Sequence, residues 1–236
     1  MNVAEVPKRD LRRSIDRAIV LIADARVANI PVLECNEPLV DLRGLLCVDS
    51  RRADVGGAFA YVRSGVAQRL CRADALLPNG WRLLVIEGFR PVTVQQEIFD
   101  SYVADLRLLL PTWSASELAQ AASRYVAPVD VAPHTAGAAV DLTLCDADGV
   151  EIDMGSPEAA NPEESNGACY MDALDISPAA RRNRQTLAAA LTSVGMVNYP
   201  TEWWHWSFGD RYWAFHTGQA NARYGACPDP GTTSRR

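Results

Sequence analysis

The chain has 236 residues, 48% of them hydrophobic and 22% charged, with a formal net charge of −6. This is the balance of a soluble globular protein, long enough for one large domain whose core needs no disulfides. No basic block or aromatic–basic interleaving marks a nucleic-acid surface, and the acidic balance suits a small zwitterionic partner better than a polyanion.

Met1 to Asp10 is charged and lacks the apolar run of a secretion signal, and Ala18 to Ala23 is too short to span a bilayer. A cytoplasmic protein with no membrane partner is expected. Six cysteines, at 35, 47, 71, 145, 169 and 227, have no close pairing and read as free thiols in a reducing compartment.

Leu11 to Val27 repeats apolar residues at helical spacing, and Pro31 ends it. Asn29 to Arg43 reads as extended, and Ala58 to Leu77 as a helix stopped by Pro78-Asn79-Gly80. Trp81 to Ile86 is an apolar run of strand length, expected to be central and buried. It leads into Glu87-Gly88-Phe89-Arg90-Pro91, which sets Arg90 at a strand's end. Its planar fork of donors suits an oxyanion or a carboxylate. Thr93 to Leu109 reads as a helix with Thr93 and Gln96 in capping-box spacing, and Ala115 to Tyr125 as a shorter one capped by Ser114.

From Ala138 to Leu144 the residues alternate. Val140, Leu142 and Leu144 suit a core, and Asp141 falls on the opposite, open face. His134 and Asp141 are an odd number of residues apart, so His134 belongs in a loop before the strand, turned at Gly137. Glu202 and His205 raise the same parity question, which a bulge or a position ahead of the regular strand would answer. Residues 146–175 form a long polar loop with many carboxylates. Loops of this length inside a domain are usually functional or disordered. Glu158, Glu163 and Glu164 are its candidates for meeting a substrate's ammonium group. Ser177-Pro178 opens a helix running to Val194, stopped by Gly195. Met196 to Phe208 is rich in strand formers, and Arg211 to Phe215 reads as the closing strand of a hairpin across Gly209-Asp210.

Two of the three histidines, His134 and His205, lie near Asp141 and Glu202 in sequence. Catalytic zinc takes three protein ligands and keeps a fourth position for water. Two imidazoles and one carboxylate suffice, and a carboxylate that is not a ligand can carry the water's proton. His216 would close a fourth position and reads as structural.

His134-x-x-Gly137-x-Ala139-x-Asp141, then Glu202-x-Trp204-His205, with Glu87-Gly88-Phe89-Arg90-Pro91 upstream, resembles the D-alanyl-D-alanine dipeptidases. These belong to the wider group of D,D-carboxypeptidase, lysostaphin-like and hedgehog-like zinc domains. The resemblance covers roughly Pro31 to Trp213. It implies one Zn2+ per chain held by His134, Asp141 and His205, Glu202 as general base and acid, and Arg90 as stabiliser of the tetrahedral oxyanion. It also implies an α+β single domain, with a central, mainly antiparallel sheet carrying the zinc site and about four to five flanking helices. Residues 1–30 are expected as a helical segment packed on the domain, 31–224 as the catalytic domain and 225–236 as a flexible tail.

The vancomycin-resistance members of that family have serines just before the first zinc histidine, where this chain has Ala132 and Pro133. Their amine-gripping aspartate falls at Ala159, beside Glu158. The expected activity is zinc-dependent hydrolysis of a small peptide such as D-Ala-D-Ala. The alternatives are a D,D- or L,D-carboxypeptidase, a biosynthetic amidase, or a non-catalytic zinc-stabilised binding module. The sequence leaves the oligomeric state open.

Overall fold

The structure is a computed structural model that describes residues 19–162, 164–228 and 230. Its centre is a five-stranded sheet in the order β2 (Cys47–Val48), β4 (Arg82–Glu87), β5 (Ala139–Cys145), β7 (His205–Ser207) and β6 (Val197–Asn198). Only β2–β4 is a parallel pair; the other pairs are antiparallel. A two-stranded ribbon of β1 (Leu39–Asp41) and β3 (Tyr61–Arg63) forms a second sheet. Six α-helices are present among the described residues: α1 (Ala25–Ala28), α2 (Ser64–Asp74), α3 (Val92–Leu109), α4 (Ala115–Ala122), α5 (Pro178–Ser193) and α6 (Arg211–Thr217). The expected single-domain α+β architecture is the one found.

The sheet explains the apolar runs. Every residue of β5 is buried, as are Leu83 to Ile86 of β4. Val140, Leu142, Leu144, Leu83 and Val85 join Val66 and Leu70 of α2 and Leu187 and Leu191 of α5 in one core cluster. Each large aliphatic side chain removed from water there contributes about 1.5–3 kcal/mol. The opposite face of β5 carries Asp141 and Thr143, so both faces are covered and the face alternation expected from sequence holds.

Several predicted elements differ. The stretch from Ala58 is not helical at first: Ala58–Ala60 is a 3-10 turn, Tyr61–Arg63 is a strand, and the helix begins at Ser64. Pairing with β1 claims Tyr61–Arg63, a long-range choice that local apolar spacing does not reveal. Among the described residues of the predicted Leu11–Val27 helix, only 25–27 are helical, as part of α1 with Asp24 as its cap. Positions 11–18 lie outside the described residues. Helix α3 starts at Val92 with Pro91 as its N-cap and no side-chain cap, while Gln96 donates to Asp100. The hairpin across Gly209-Asp210 does not form. Asp210 instead accepts hydrogen bonds from Tyr212 N and Trp213 N and starts α6, which ends at Gly218. One aspartate satisfying two orphan N–H groups outweighs the strand preference of the aromatic residues that follow. At the tail, Gly225 N donates to Glu34 and Cys227 N to Thr135 O. Residue 229 and the tail from residue 231 lie outside the described residues.

Candidate active site

Three neighbouring strands set a row of polar side chains across the sheet. Glu87 is opposite Asp141, and Asp141 is opposite His205. Directly paired antiparallel residues have Cβ atoms about 4.5–5.5 Å apart, so this register brings the three together. A bulge at Ile86 makes it possible: Val85 pairs with Leu142 and Glu87 with Asp141, leaving one extra residue on β4. Without it Glu87 would fall on the core side of the sheet.

His134 reaches the row from a 3-10 turn, Pro133–Ala136, that ends at Gly137 with φ 62°. A side chain at Gly137 would also strike Leu39. Gly88 is needed for a different reason: a Cβ there would collide with the Tyr61 carbonyl. His134 Nδ1 lies 2.7 Å from the Gly88 carbonyl oxygen. A carbonyl only accepts, so Nδ1 carries the proton and the Nε2 lone pair faces the row.

His134 Nε2 is 3.2 Å from His205 Nδ1, which is 3.0 Å from Asp141 Oδ1; Asp141 Oδ2 is 3.4 Å from His134 Nε2. All three residues are buried. Tetrahedral zinc with ordinary bond lengths spaces its ligand atoms about 3.3 Å apart, which matches these separations. Lone pairs and a carboxylate converging this closely repel one another unless a cation or proton lies between them, so the donor set fits a metal. Burial opposes charge on Asp141, yet the two histidines hold its pKa well below the usual carboxylate range. Burial disfavours protonated His134 too, and Asp141 more than offsets it, raising the pKa.

Glu202 lies before β7, in a turn where its N–H donates to Tyr199 O and its carbonyl accepts from His205 N. That answers the parity question. Its Oε2 is 3.8 Å from His205 Nδ1. Burial, reinforced by Asp141, pushes its pKa to about 8, against the opposing pull of His205 and Arg90. Arg90 is gripped side-on by Glu87, Nε to Oε1 at 2.7 Å and Nη2 to Oε2 at 2.5 Å, while Nη1 donates to Gln95 Oε1 at 2.8 Å. Its backbone N–H donates to the His134 carbonyl.

These groups line a cleft of about 530 Å³, within the ordinary range for small-molecule sites. The family model described as D-ala-D-ala dipeptidase, of the M15 peptidases, matches residues 56–224. The chain is 30% identical to a D-alanyl-D-alanine dipeptidase of Synechocystis sp. over 220 residues, covering 80% of this chain and 89% of the relative. The chain belongs to the D-Ala-D-Ala dipeptidase family. A second relative, the D-alanyl-D-alanine dipeptidase of Escherichia coli, is 32% identical over 128 residues, 54% of this chain and 55% of that protein. Among solved structures, a mutant of the vancomycin-resistance D,D-pentapeptidase VanY from a VanB-type cassette, in complex with Zn(II), aligns with TM-score 0.38. VanYB in complex with D-alanine-D-alanine aligns with TM-score 0.39. Both are 18% identical and cover 67% of this chain and, respectively, 80% and 79% of theirs.

As a member of this family the chain is a metallopeptidase. The structure brings His134, Asp141, His205, Glu202 and Arg90 to one cleft, and Glu158 lines it as well. Glu158 faces Arg52 at 3.3 Å, and burial, with Asp141 adding to it, pushes its pKa to about 7. Glu164 is exposed and is not among the cleft residues, while Glu163 lies outside the described residues. Three side chains that shape the cleft carry no sequence expectation: Glu87, Gln95 and Arg52. Glu87 had a legible signal, an acidic residue closing an apolar strand three positions before Arg90. Gln95 had none, because a polar residue in the first turn of a helix reads as solvent-facing.

Proposed function

We propose that the chain is a zinc-dependent dipeptidase that hydrolyses D-Ala-D-Ala or a closely related D-amino-acid dipeptide. The convergence of His134, Asp141 and His205 at 3.0–3.4 Å, with Glu202 3.8 Å from a ligand nitrogen, carries the reading. Zinc held by those three side chains would supply Lewis acidity, bringing a water's pKa to about 7 and polarising the scissile carbonyl.

The chain's own residues divide the remaining work. Glu202 accepts the proton from the attacking water and returns it to the departing amine. Arg90 presents the N–H groups that Glu87 and Gln95 leave free to the oxygen on which negative charge develops. Glu158 receives the substrate's ammonium group, one position from where the family's vancomycin-resistance members have an aspartate. Support for a reducing, cytoplasmic location comes from all six cysteines, which are free. No helix among the described residues is long and apolar enough to cross a membrane. The catalytic unit is taken as residues 31–224, with 1–30 and 225–236 as its flanks.

A second reading keeps the hydrolysis and widens the substrate. Ala132, Pro133, Val94, Ile98 and Val126 all line the cleft, and this apolar share of its lining favours a dipeptide or peptide with a larger apolar side chain. A purely structural zinc would be closed by four ligands, whereas the group found among the described residues has three.

Zinc content per chain, with turnover of D,D-, L,D- and L,L-dipeptides by wild type and Glu202→Ala, tests the assignment. One zinc in both proteins, and D,D cleavage in wild type alone, is the expected result. A wild type that binds no zinc or cleaves none of the panel would sink it.

A further inference from the structure

Gln95 is the only side chain of α3 besides Leu106 that is buried, at 1% exposure, and it is polar. Both ends of its amide are used. Oε1 accepts from Arg90 Nη1 at 2.8 Å, and Nε2 donates to the Ala127 carbonyl at 2.6 Å. A buried polar group is stable only when paired in this way, and each pairing fixes the rotamer that makes the other. Two hydrogen bonds thus tie three segments together: the loop after β4, the first turn of α3 and the segment after α4. Arg90, α3 and Ala127 all border the cleft.

A guanidinium has five N–H groups. Glu87 takes one on Nε and one on Nη2, and Gln95 takes one on Nη1. One N–H on each Nη remains. Glu87 alone would leave the fork free to swing about the Glu87 axis. The Gln95 contact, on the other side of the fork, removes that freedom and sets where the two remaining N–H groups point.

We propose that Gln95 is a positioning residue for Arg90, holding the guanidinium fork in the orientation that meets the oxyanion of the tetrahedral state. This rests on the reading of Arg90 as oxyanion stabiliser. Gln95 touches neither substrate nor metal in this role. Its loss acts on turnover through Arg90 and leaves ground-state binding and metal affinity in place. Misplacing a preorganised donor is penalised in the transition state, where charge has developed, more than in the Michaelis complex.

The test is a cycle of Gln95→Met, Arg90→Ala and the double variant, each loaded with zinc and checked for zinc content and melting temperature. Two readouts are taken: kcat and KM on D-Ala-D-Ala, and affinity for a phosphinate dipeptide analogue that mimics the tetrahedral state. The second does not depend on turnover. Expected for Gln95→Met is a fall in kcat, and in phosphinate affinity, of about 10–100-fold, with KM within threefold and one zinc retained. In the Arg90→Ala background the same substitution should change either readout by less than about twofold. Gln95→Glu, which keeps an acceptor for Arg90, should recover part of the loss.

A Gln95→Met variant within twofold of wild type while Arg90→Ala is impaired would overturn the inference and leave Arg90's role standing. A loss that persists undiminished in the Arg90→Ala background would make Gln95 merely structural. An Arg90→Ala variant as active as wild type, and as tight on the phosphinate, would remove the role of Arg90 and with it that of Gln95.

Discussion

Glu158 and Glu202 are two carboxylates in one cleft, and burial raises the pKa of each, to about 7 and about 8 respectively. The tasks proposed for them differ because their neighbours differ: Glu202 lies against His205, a proposed metal ligand, and Glu158 against Arg52. If Glu158 grips an ammonium group it must be ionised, so affinity for the dipeptide should rise as pH climbs through about 7. Glu158→Gln should raise KM about 10–100-fold at pH 8, the worth of one charge-assisted hydrogen bond, and flatten that limb of the KM–pH profile. The same shift has a stability sign. The folded protein binds the Glu158 proton more tightly than the unfolded chain does. Stability from this group is therefore fully present below the ordinary carboxylate pKa and is lost as pH rises through about 7. Glu158→Gln should accordingly raise the melting temperature more at pH 8 than at pH 5, as read by calorimetry. For Glu202→Gln the expectation is retained zinc and a loss in kcat of at least about 100-fold, the usual worth of a general base. At this scale the histidines, Asp141, Glu202 and Arg90 were legible because each is a chemically distinctive residue in a spaced motif. Gln95 and Arg52 were not, since nothing local marks a glutamine or an arginine as one that a distant segment will bury or pair.

Strand β5 shows what periodicity can deliver: its alternation separates Leu142 from Asp141 correctly, and the core contacts confirm the split. The bulge at Ile86 shows where it stops, because one extra residue in β4 moves Glu87 to the cleft face and no residue type announces it. Helix α6 makes the same point from the other side, with Asp210 deciding helix over strand through its two cap bonds. The loop of residues 146–175 has no helix or strand among its described residues, and α5 holds it. Arg184, buried on α5, donates to the carbonyls of Met154, Ala168 and Tyr170, each at 2.7 Å. Burial lowers its pKa to about 10, still far above neutrality, so the charge remains. Arg184→Met should destabilise the protein by about 2–3 kcal/mol by removing charge-assisted donors from buried carbonyls. It should also open residues 154–170 to limited proteolysis and raise KM, since Glu158 rides on that loop. Unchanged protease cutting would count against the clamp.

For the whole molecule, a metal held as proposed would link segments distant in sequence, since His134, Asp141 and His205 come from a turn and two strands. Binding to the folded state alone stabilises by mass action, about 2.7 kcal/mol at a hundredfold excess over Kd. Chelation should therefore lower the melting temperature by about 5–10 °C in a domain of this size, and added zinc should restore it. A melting curve indifferent to chelator, in protein shown to hold zinc beforehand, would contradict that linkage. The sequence by itself determined the class of fold, the buried strands, the helices after Pro91 and Pro178 in outline, and the residue types able to hold a metal and move a proton. Those are properties of local spacing and side-chain chemistry, written into each segment. Only the tertiary structure decided that Glu87, Asp141 and His205 stand in one row, that Glu158 enters the cleft and Glu164 does not, and that Gln95 reaches Arg90. Each of these depends on strand register, a bulge or a long-range hydrogen bond, and those are settled by the packing of segments against one another rather than by any segment alone.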